Sequence, residues 1–257
     1  MEKPMLLRDG STSLSPKCGF IFSDRDAPPF SLLAARPLDG GIDLRERPHI
    51  SKRRITTFGV PLPDQQDYGA CCLMAALIML NYEHGIQNYT SEWAIQKYLE
   101  VQKIDRFPGI GENPGGDGMQ GTSLQDVLDY LVKLGLIAGY VRARTLEEVL
   151  SGLAYHGVPM FGMMWTTGMM QPNQKTGLSH PIGKNVGGHA TGGTWLDKDR
   201  ELILGPQSWP GWNPRRNGYW AMTWQDVDWQ MRRGRAECYF ARKVLPSLSG
   251  GPGHGPA

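Results

Sequence analysis

The sequence predicts an α+β protein of two lobes, helices first and short antiparallel strands later, with a cleft between them. Three observations carry this. The first half holds apolar residues at helical spacing, and Leu124, Val127, Leu128, Leu131 and Leu134 form the clearest stripe. The second half replaces that period with short apolar runs separated by polar turns. The 33 Gly and 19 Pro among 257 residues call for many turns, yet stay below the ~25–30% expected of a disordered chain. Helices followed by strands is the α+β pattern, and the space between two lobes is where a site is expected.

Taken in order, residues 1–37 read as an extended, mostly irregular arm broken by Pro28, Pro29 and Pro37. Ala70 to Glu83 reads as a buried helix between Gly69 and Gly85. Thr90 or Ser91 caps a second helix, with Glu92 in its first turn. A Gly-rich loop spans Phe107 to Gly121. Ser123 opens the third helix and Gly135 ends it. Thr145 with Glu148 is a capping box for a fourth helix that stops near Gly157. Val158–Trp165, His189–Leu196, Glu201–Leu204, Gly218–Trp224 and Ala236–Arg242 read as short strands, with a charged turn at Asp197–Arg200. The core domain is expected over 38–246, and 247–257 form a Gly/Pro tail expected to be disordered.

Composition excludes several classes. Lys plus Arg is 27 and Asp plus Glu is 25, a formal charge of +2, so no basic stripe points to nucleic acid. The longest apolar run, Ala70 to Leu80, has 11 residues, against the ~20 a membrane span needs. The N-terminus has no apolar segment of signal-peptide length. A cytoplasmic protein, or a part of a larger assembly such as a virion joined through the N-terminal arm, is the expectation. Four cysteines are too few for a disulfide scaffold and include no C-x-x-C pair, so no structural zinc site is expected; the cysteine chemistry read below implies no metal or organic cofactor.

The chemistry gathers around Asp64-Gln65-Gln66-Asp67-Tyr68-Gly69-Ala70-Cys71. This places a cysteine at the first turn of a helix, where unpaired N–H groups and a partial positive charge favour a thiolate. Gln65, six residues earlier, adds an amide donor that with the Cys71 N–H makes an oxyanion hole. Cys72 competes for the role, because Gln66 also lies six residues before it; Gly69 favours Cys71. A cysteine nucleophile needs a base, and Gly187-Gly188-His189-Ala190 offers an imidazole between small neighbours on a strand. In Gly205-Pro206-Gln207-Ser208-Trp209, Gln207 is placed to accept the His189 Nδ1–H, with Trp209 as an aromatic lid. Asp197 is the alternative orienter. Met160, Met163, Met164, Met169 and Met170 read as core packing or as an adaptable substrate wall, and His180 as a surface or cleft residue.

These blocks, in this order over residues 38–243, resemble the papain family of cysteine peptidases. That family carries Gln-x-x-x-Gly-x-Cys before an apolar helix, a His on a strand, and Asn-Ser-Trp-Gly followed by Trp-Gly and Gly-Tyr. The resemblance implies a helical left lobe, a β-barrel-like right lobe, and a cysteine endopeptidase acting on peptide or protein substrates. Cys71 falls on its nucleophile, His189 on its base, Gln65 on its oxyanion glutamine, Gln207 on its asparagine and Trp209 on its indole lid. Gly118 and Met119 fall where its glycine pair borders the substrate groove. Gln207 is one methylene longer than the family's Asn. The step from Trp209 to Trp212 is one residue shorter, Cys72 replaces a Trp, and residues 1–37 are too short and Pro-rich for the usual helical propeptide. Two other readings share the fold: a weakly active or inactive structural or virion component, and an amidase of cell-wall peptide.

Overall fold

The computed structural model describes residues 62–84, 89–105 and 121–242, with four short strand segments before them. The elements in chain order are β1 (Met5–Leu6), β2 (Thr12–Ser13), β3 (Phe20–Ile21), β4 (Lys52–Arg54), α1 (Cys71–His84), α2 (Ser91–Val101) and β5 (Thr122–Ser123). They continue with α3 (Leu124–Lys133), β6 (Gly139–Ala143), α4 (Leu146–Tyr155), β7 (Met160–Thr166), α5 (Thr167–Met170) and β8 (Asn185–Gly192). The chain then forms β9 (Trp195–Asp197), β10 (Leu202–Pro206), a 3₁₀ turn (Pro214–Arg216), β11 (Tyr219–Thr223), α6 (Trp224–Arg232) and β12 (Ala236–Arg242). The loop Phe107–Gly121 expected from the sequence and the C-terminal tail lie outside the described residues, except Gly121 itself. No described helix is long and apolar enough to cross a membrane.

Local signals explain the helix ends. Thr90 Oγ1 accepts the Trp93 N–H at 3.2 Å, so Thr90 rather than Ser91 caps α2. Ser123 Oγ accepts the Asp126 N–H and donates to the Asp126 carboxylate at 2.6 Å, a box closed by Asp. Thr145 caps α4 through the Glu148 N–H, while Glu148 reaches back to the Arg144 N–H rather than to the cap residue. Gly135 ends α3 at φ +70°, the left-handed conformation that glycine adopts without strain.

Over Cys71–Leu80 helix α1 is apolar on all sides, and every residue from Ala70 to Leu80 is at most 3% exposed. A helix of that kind has no solvent face and must sit at a lobe centre. It packs with α2, α3 and the inner faces of β7 and β8 in one core. A second core holds α4, α6 and the sheets, with Trp165, Trp209 and Trp220 among its members. Met160, Met163 and Met169 are fully buried in these two cores, and Met164 and Met170 are partly exposed.

The β-barrel-like lobe expected from the sequence is instead two open antiparallel sheets, ordered β11-β10-β9-β4 and β6-β12-β7-β8 among the described residues. Helix α6, strand β6 and helix α5 were not expected. Helix α6 is short and starts inside a segment whose β-rich flank, Tyr219–Thr223, dominates the pattern. Its Trp224, Val227 and Gln230 are buried by tertiary packing. The expected strand His189–Leu196 divides at Gly193 and Thr194 into β8 and β9, which join different sheets. Within 1–37, the described pieces are a β1–β2 pair and β3, which runs parallel to β5 and against β8.

Strand β8 joins the lobes. Its Ala190 and Gly192 face α1, and a Cβ on Gly192 would stand 2.4 Å from Ile78 Cγ2. Its His189 and Thr191 face β10, where Thr191 Oγ1 donates to the Pro206 carbonyl at 2.7 Å, and Trp220 Nε1 of β11 donates to the Gly192 carbonyl at 3.0 Å. A Cβ on Gly205 would stand 1.8 Å from that same carbonyl oxygen, backbone that cannot swing aside. Gly205→Ala is therefore expected to destabilise the fold by about 2 kcal/mol or more, as overpacking against backbone does. Denaturant midpoints of the two proteins check this; a difference within error would mean that β8 and β10 are free to separate.

Candidate active site

Cys71 is the first residue of α1, and the helix opens on the Ala70 carbonyl, which accepts the Met74 N–H at 3.0 Å. Its thiol lies against the His189 ring and the Ala190 N–H. Burial alone raises a thiol's pKa. Here the adjacent Cys72 thiol, the His189 ring and its charge, and the Ala190 N–H together outweigh it and hold Cys71 well below the ordinary thiol range.

Cys72 has a different environment. Its Sγ–H donates to the Thr122 carbonyl at 3.1 Å, away from the imidazole. Burial, then the hydrogen bond with the Cys71 thiol and the Cys71 charge, pushes its thiol well up. The two glutamines separate in the same way. Gln65 is 1% exposed, whereas Gln66 is exposed at φ +51° with its N–H on Asp64 Oδ1.

His189 sits on β8, and its Nε2 donates to Gln207 Oε1 at 2.5 Å. The nitrogen differs from the sequence expectation, which gave Nδ1 to Gln207. The same Oε1 accepts the Ser208 backbone N–H at 2.9 Å. A backbone N–H can only donate, so the oxygen of the Gln207 amide must face it. His189 Nε2 must then carry a proton, and Nδ1 is left without a partner of its own. The alternative orienter, Asp197, is elsewhere: its Oδ1 accepts the Arg200 N–H at 3.2 Å and closes the β9–β10 turn.

Trp209 lies over the imidazole, ring centroids 4.0 Å apart and planes tilted by 31°. Trp165 meets the ring edge-on at 5.1 Å. It was not singled out in the sequence. Its signal is the strand register, because Trp165 pairs with Gly187 and so reaches His189 diagonally across the β7–β8 ladder. Ser208 was also missed, although it stands in the quoted Gln-Ser-Trp block. Its Oγ donates to Gln65 Oε1 at 2.6 Å, its carbonyl accepts the Gln65 N–H at 3.1 Å, and Gln65 Nε2 donates to the Tyr68 carbonyl at 2.9 Å.

The structure thus brings Cys71, His189, Gln207, Gln65 and Trp209 together. Gly118 and Met119 lie outside the described residues. His180 faces α6, with Nδ1 2.9 Å from Asp226 Oδ2. Among the described residues no group of three metal-ligating side chains stands together.

The lowered Cys71 pKa has a sign that can be tested. A lowered pKa keeps the thiolate present to lower pH, and loss of the His189 charge moves it back up. Alkylation of Cys71, followed by peptide mass spectrometry, is expected to persist below the pH at which an ordinary thiol falls silent, near about 8.5. In His189→Ala the profile should shift to higher pH, with Cys72 and Cys238 unmodified in both proteins. A profile indifferent to His189 would mean that the ring does not act on the thiol.

No protein-family model matches the sequence, and no curated protein does. Solved structures do. A cysteine protease of Carica candamarcensis aligns over 76% of this chain and 99% of its own, at 14% identity and TM-score 0.54. The bromelain protease of Ananas comosus covers the same shares at 12% identity and TM-score 0.51. Xylellain, a cysteine protease of Xylella fastidiosa, aligns over 95% of this chain and 99% of its own, at 14% identity and TM-score 0.47. At these identities the first two speak for architecture: the chain has the two-lobe α+β fold of papain-like cysteine proteases.

Proposed function

We propose that this protein is a cysteine endopeptidase in which Cys71 is the nucleophile and His189 the general acid and base. One observation carries the reading. A helix-terminal thiol with a lowered pKa lies against an imidazole whose far nitrogen is tied to a buried amide.

The Cys71 thiolate attacks the scissile carbonyl carbon, and the carbonyl π pair moves to oxygen. An N–H of Gln65 and the Cys71 backbone N–H receive that oxyanion. Gln207 engages Nε2, so Nδ1 is the nitrogen that handles the proton. Nδ1–H protonates the leaving amine as the C–N bond breaks and the thioester forms. Water, losing its proton to Nδ1, then attacks the thioester and releases the acid and the thiolate. No step needs a metal or an organic cofactor.

A second reading, a silent or gated site on the same fold, is favoured by burial. Cys71, His189 and Gln207 each have 0% exposure. A peptidyl epoxide separates the two: covalent labelling at Cys71 supports the enzyme, and an intact Cys71 under conditions that label a small haloacetamide supports the gated site.

Cys71→Ser should abolish hydrolysis of a fluorogenic peptide, and Cys72→Ser should leave most of it. Gln65→Ala should cost about 10²–10³ in kcat with little change in KM, as loss of one oxyanion donor does. Equal losses in the two cysteine variants, or a Gln65 effect confined to KM, would overturn these roles.

Gln207 supplies a neutral hydrogen bond, of the order of 0.5–1.5 kcal/mol, so removing it should slow the enzyme by a factor of about 2–13 if orientation is all it provides. kcat/KM measured for Gln207→Ala, Asp197→Asn and His189→Ala should fall most for His189→Ala and least for Asp197→Asn. A crippled Asp197→Asn beside a near-normal Gln207→Ala would remove Gln207 from the site.

A further inference from the structure

A cavity of about 320 Å³ lies between residues 170–174 and 211–215, beyond Trp212 from the imidazole. Trp209 stacks on His189 at 4.0 Å, and Trp212 meets Trp209 at 6.1 Å. On the mechanism above, His189 gives its proton to the leaving amine. The peptide that follows the cleaved bond therefore departs along the imidazole side, past the two indoles and toward this cavity.

The cavity walls are built rather than draped. Trp212 Nε1 donates to the Met170 carbonyl at 3.2 Å and so joins one wall to the other. Arg215 Nε donates to the Gln174 carbonyl at 2.8 Å, and Arg216 Nε to the Thr176 carbonyl at 3.0 Å. Asn173 Oδ1 accepts the N–H groups of Lys175 and Thr176. Among the ten lining residues Arg215 is the sole ionisable one, so among the described residues no carboxylate of the lining faces it. The Arg215 side chain is exposed, its Nε is engaged by the Gln174 carbonyl, and its terminal nitrogens have no hydrogen-bond partner among the described residues. A guanidinium with its terminal N–H groups available suits a carboxylate.

We infer that this cavity binds a carboxylate of the substrate, on the second or third residue after the cleaved bond, with Arg215 as the residue that selects it. The distance sets the position. Two ring-to-ring steps of 4.0 and 6.1 Å separate His189 from Trp212, and an extended chain advances about 3.3–3.6 Å per residue. The carboxylate has two possible sources, an Asp or Glu side chain or the free C-terminus of a short substrate. The inference rests on the peptidase reading for the direction in which the peptide leaves.

The test uses the full chain and quenched fluorescent peptides identical up to the cleaved bond. At the second and third positions after it they carry Glu, Gln or Lys with an amidated end, or Gln with a free C-terminal carboxylate. The expected result is a kcat/KM about 3–10-fold higher for a carboxylate than for its neutral counterpart, weakening as salt is raised. The Glu and free-terminus arms identify the source. Arg215→Gln should bring the ratio near one, and Arg215→Glu should turn the preference toward Lys. Arg216→Gln, which loosens the same loop outside the lining, should keep the ratio. Equal rates for Glu, Gln and free-terminus peptides, or a ratio that survives Arg215→Gln, would overturn the proposal.

A substrate ending in aminomethylcoumarin has no residue for the cavity and reports the peptidase reading by itself. If nothing is cleaved, that reading fails. Calorimetric titration of the Glu peptide into Cys71→Ser then decides on the cavity. A Kd weakened several-fold by adding Arg215→Gln upholds it, and absent binding or an unchanged Kd overturns it.

Discussion

Strand β8 is closely packed on two sides at one point, by the Ile78 side chain of α1 and by the Gly205 backbone of β10, and the rest of the arrangement follows from that contact. At Gly192 the Ile78 side chain of α1 occupies the space where a Cβ would stand. The Gly192 carbonyl takes the Trp220 indole N–H, and Gly205 of β10 crosses where any side chain would collide with it. Two glycines thus let the Ile78 side chain of α1, strand β8 and the backbone of β10 meet at one point. Because His189 lies three residues along β8 from this crossing, and Gln207 two residues beyond Gly205, the crossing sets their separation. Interiors packed this tightly transmit small displacements instead of absorbing them.

The polar part of the site hangs on a single carbonyl oxygen. Gln207 Oε1 is held by the Ser208 N–H and in turn holds His189 Nε2. That choice directs the imidazole's remaining nitrogen away from Gln207. Ser208 also anchors Gln65 through side chain and backbone, so one residue ties the incoming loop before α1 to the outgoing loop after β10. A neutral orienter leaves the imidazolium charge available to the Cys71 thiolate, whereas a carboxylate at the same place would compete for it. The lowered thiol pKa and the amide orienter are parts of one electrostatic arrangement.

Around this polar core stands a wall of three indoles, Trp165, Trp209 and Trp212, each within 6.1 Å of the next. It excludes water from the histidine–amide bond and gives the imidazole one stacking face and one edge contact. The wall continues into the loop pair that frames the Arg215 cavity, which Trp212 lines and where its Nε1 donates to the Met170 carbonyl.

Much of this was legible in the sequence, because local physics specified it. The all-apolar run at Ala70–Leu80 can only be a buried helix, and its cysteine stands at the N-terminus wherever that helix packs. Caps at Thr90, Ser123 and Thr145 are short-range hydrogen bonds that side-chain chemistry alone determines. Strand Ala236–Arg242 appears with the expected limits because its pattern meets no competing signal. What tertiary structure decided was long-range. Local spacing gives Cys71 and Cys72 a glutamine each; only the direction in which α1 meets β8 and β5 turns one thiol to His189 and the other to Thr122. The choice of Nε2 over Nδ1 depends on Ser208, whose N–H direction is set by the β10 exit. Trp165 enters the site through strand register, and register is a pairing between distant segments. Helix α6 and the division of the strands into two open sheets likewise depend on which faces other elements cover. Sequence spacing carries the identity of the reactive groups; their orientation exists only once the two lobes have packed.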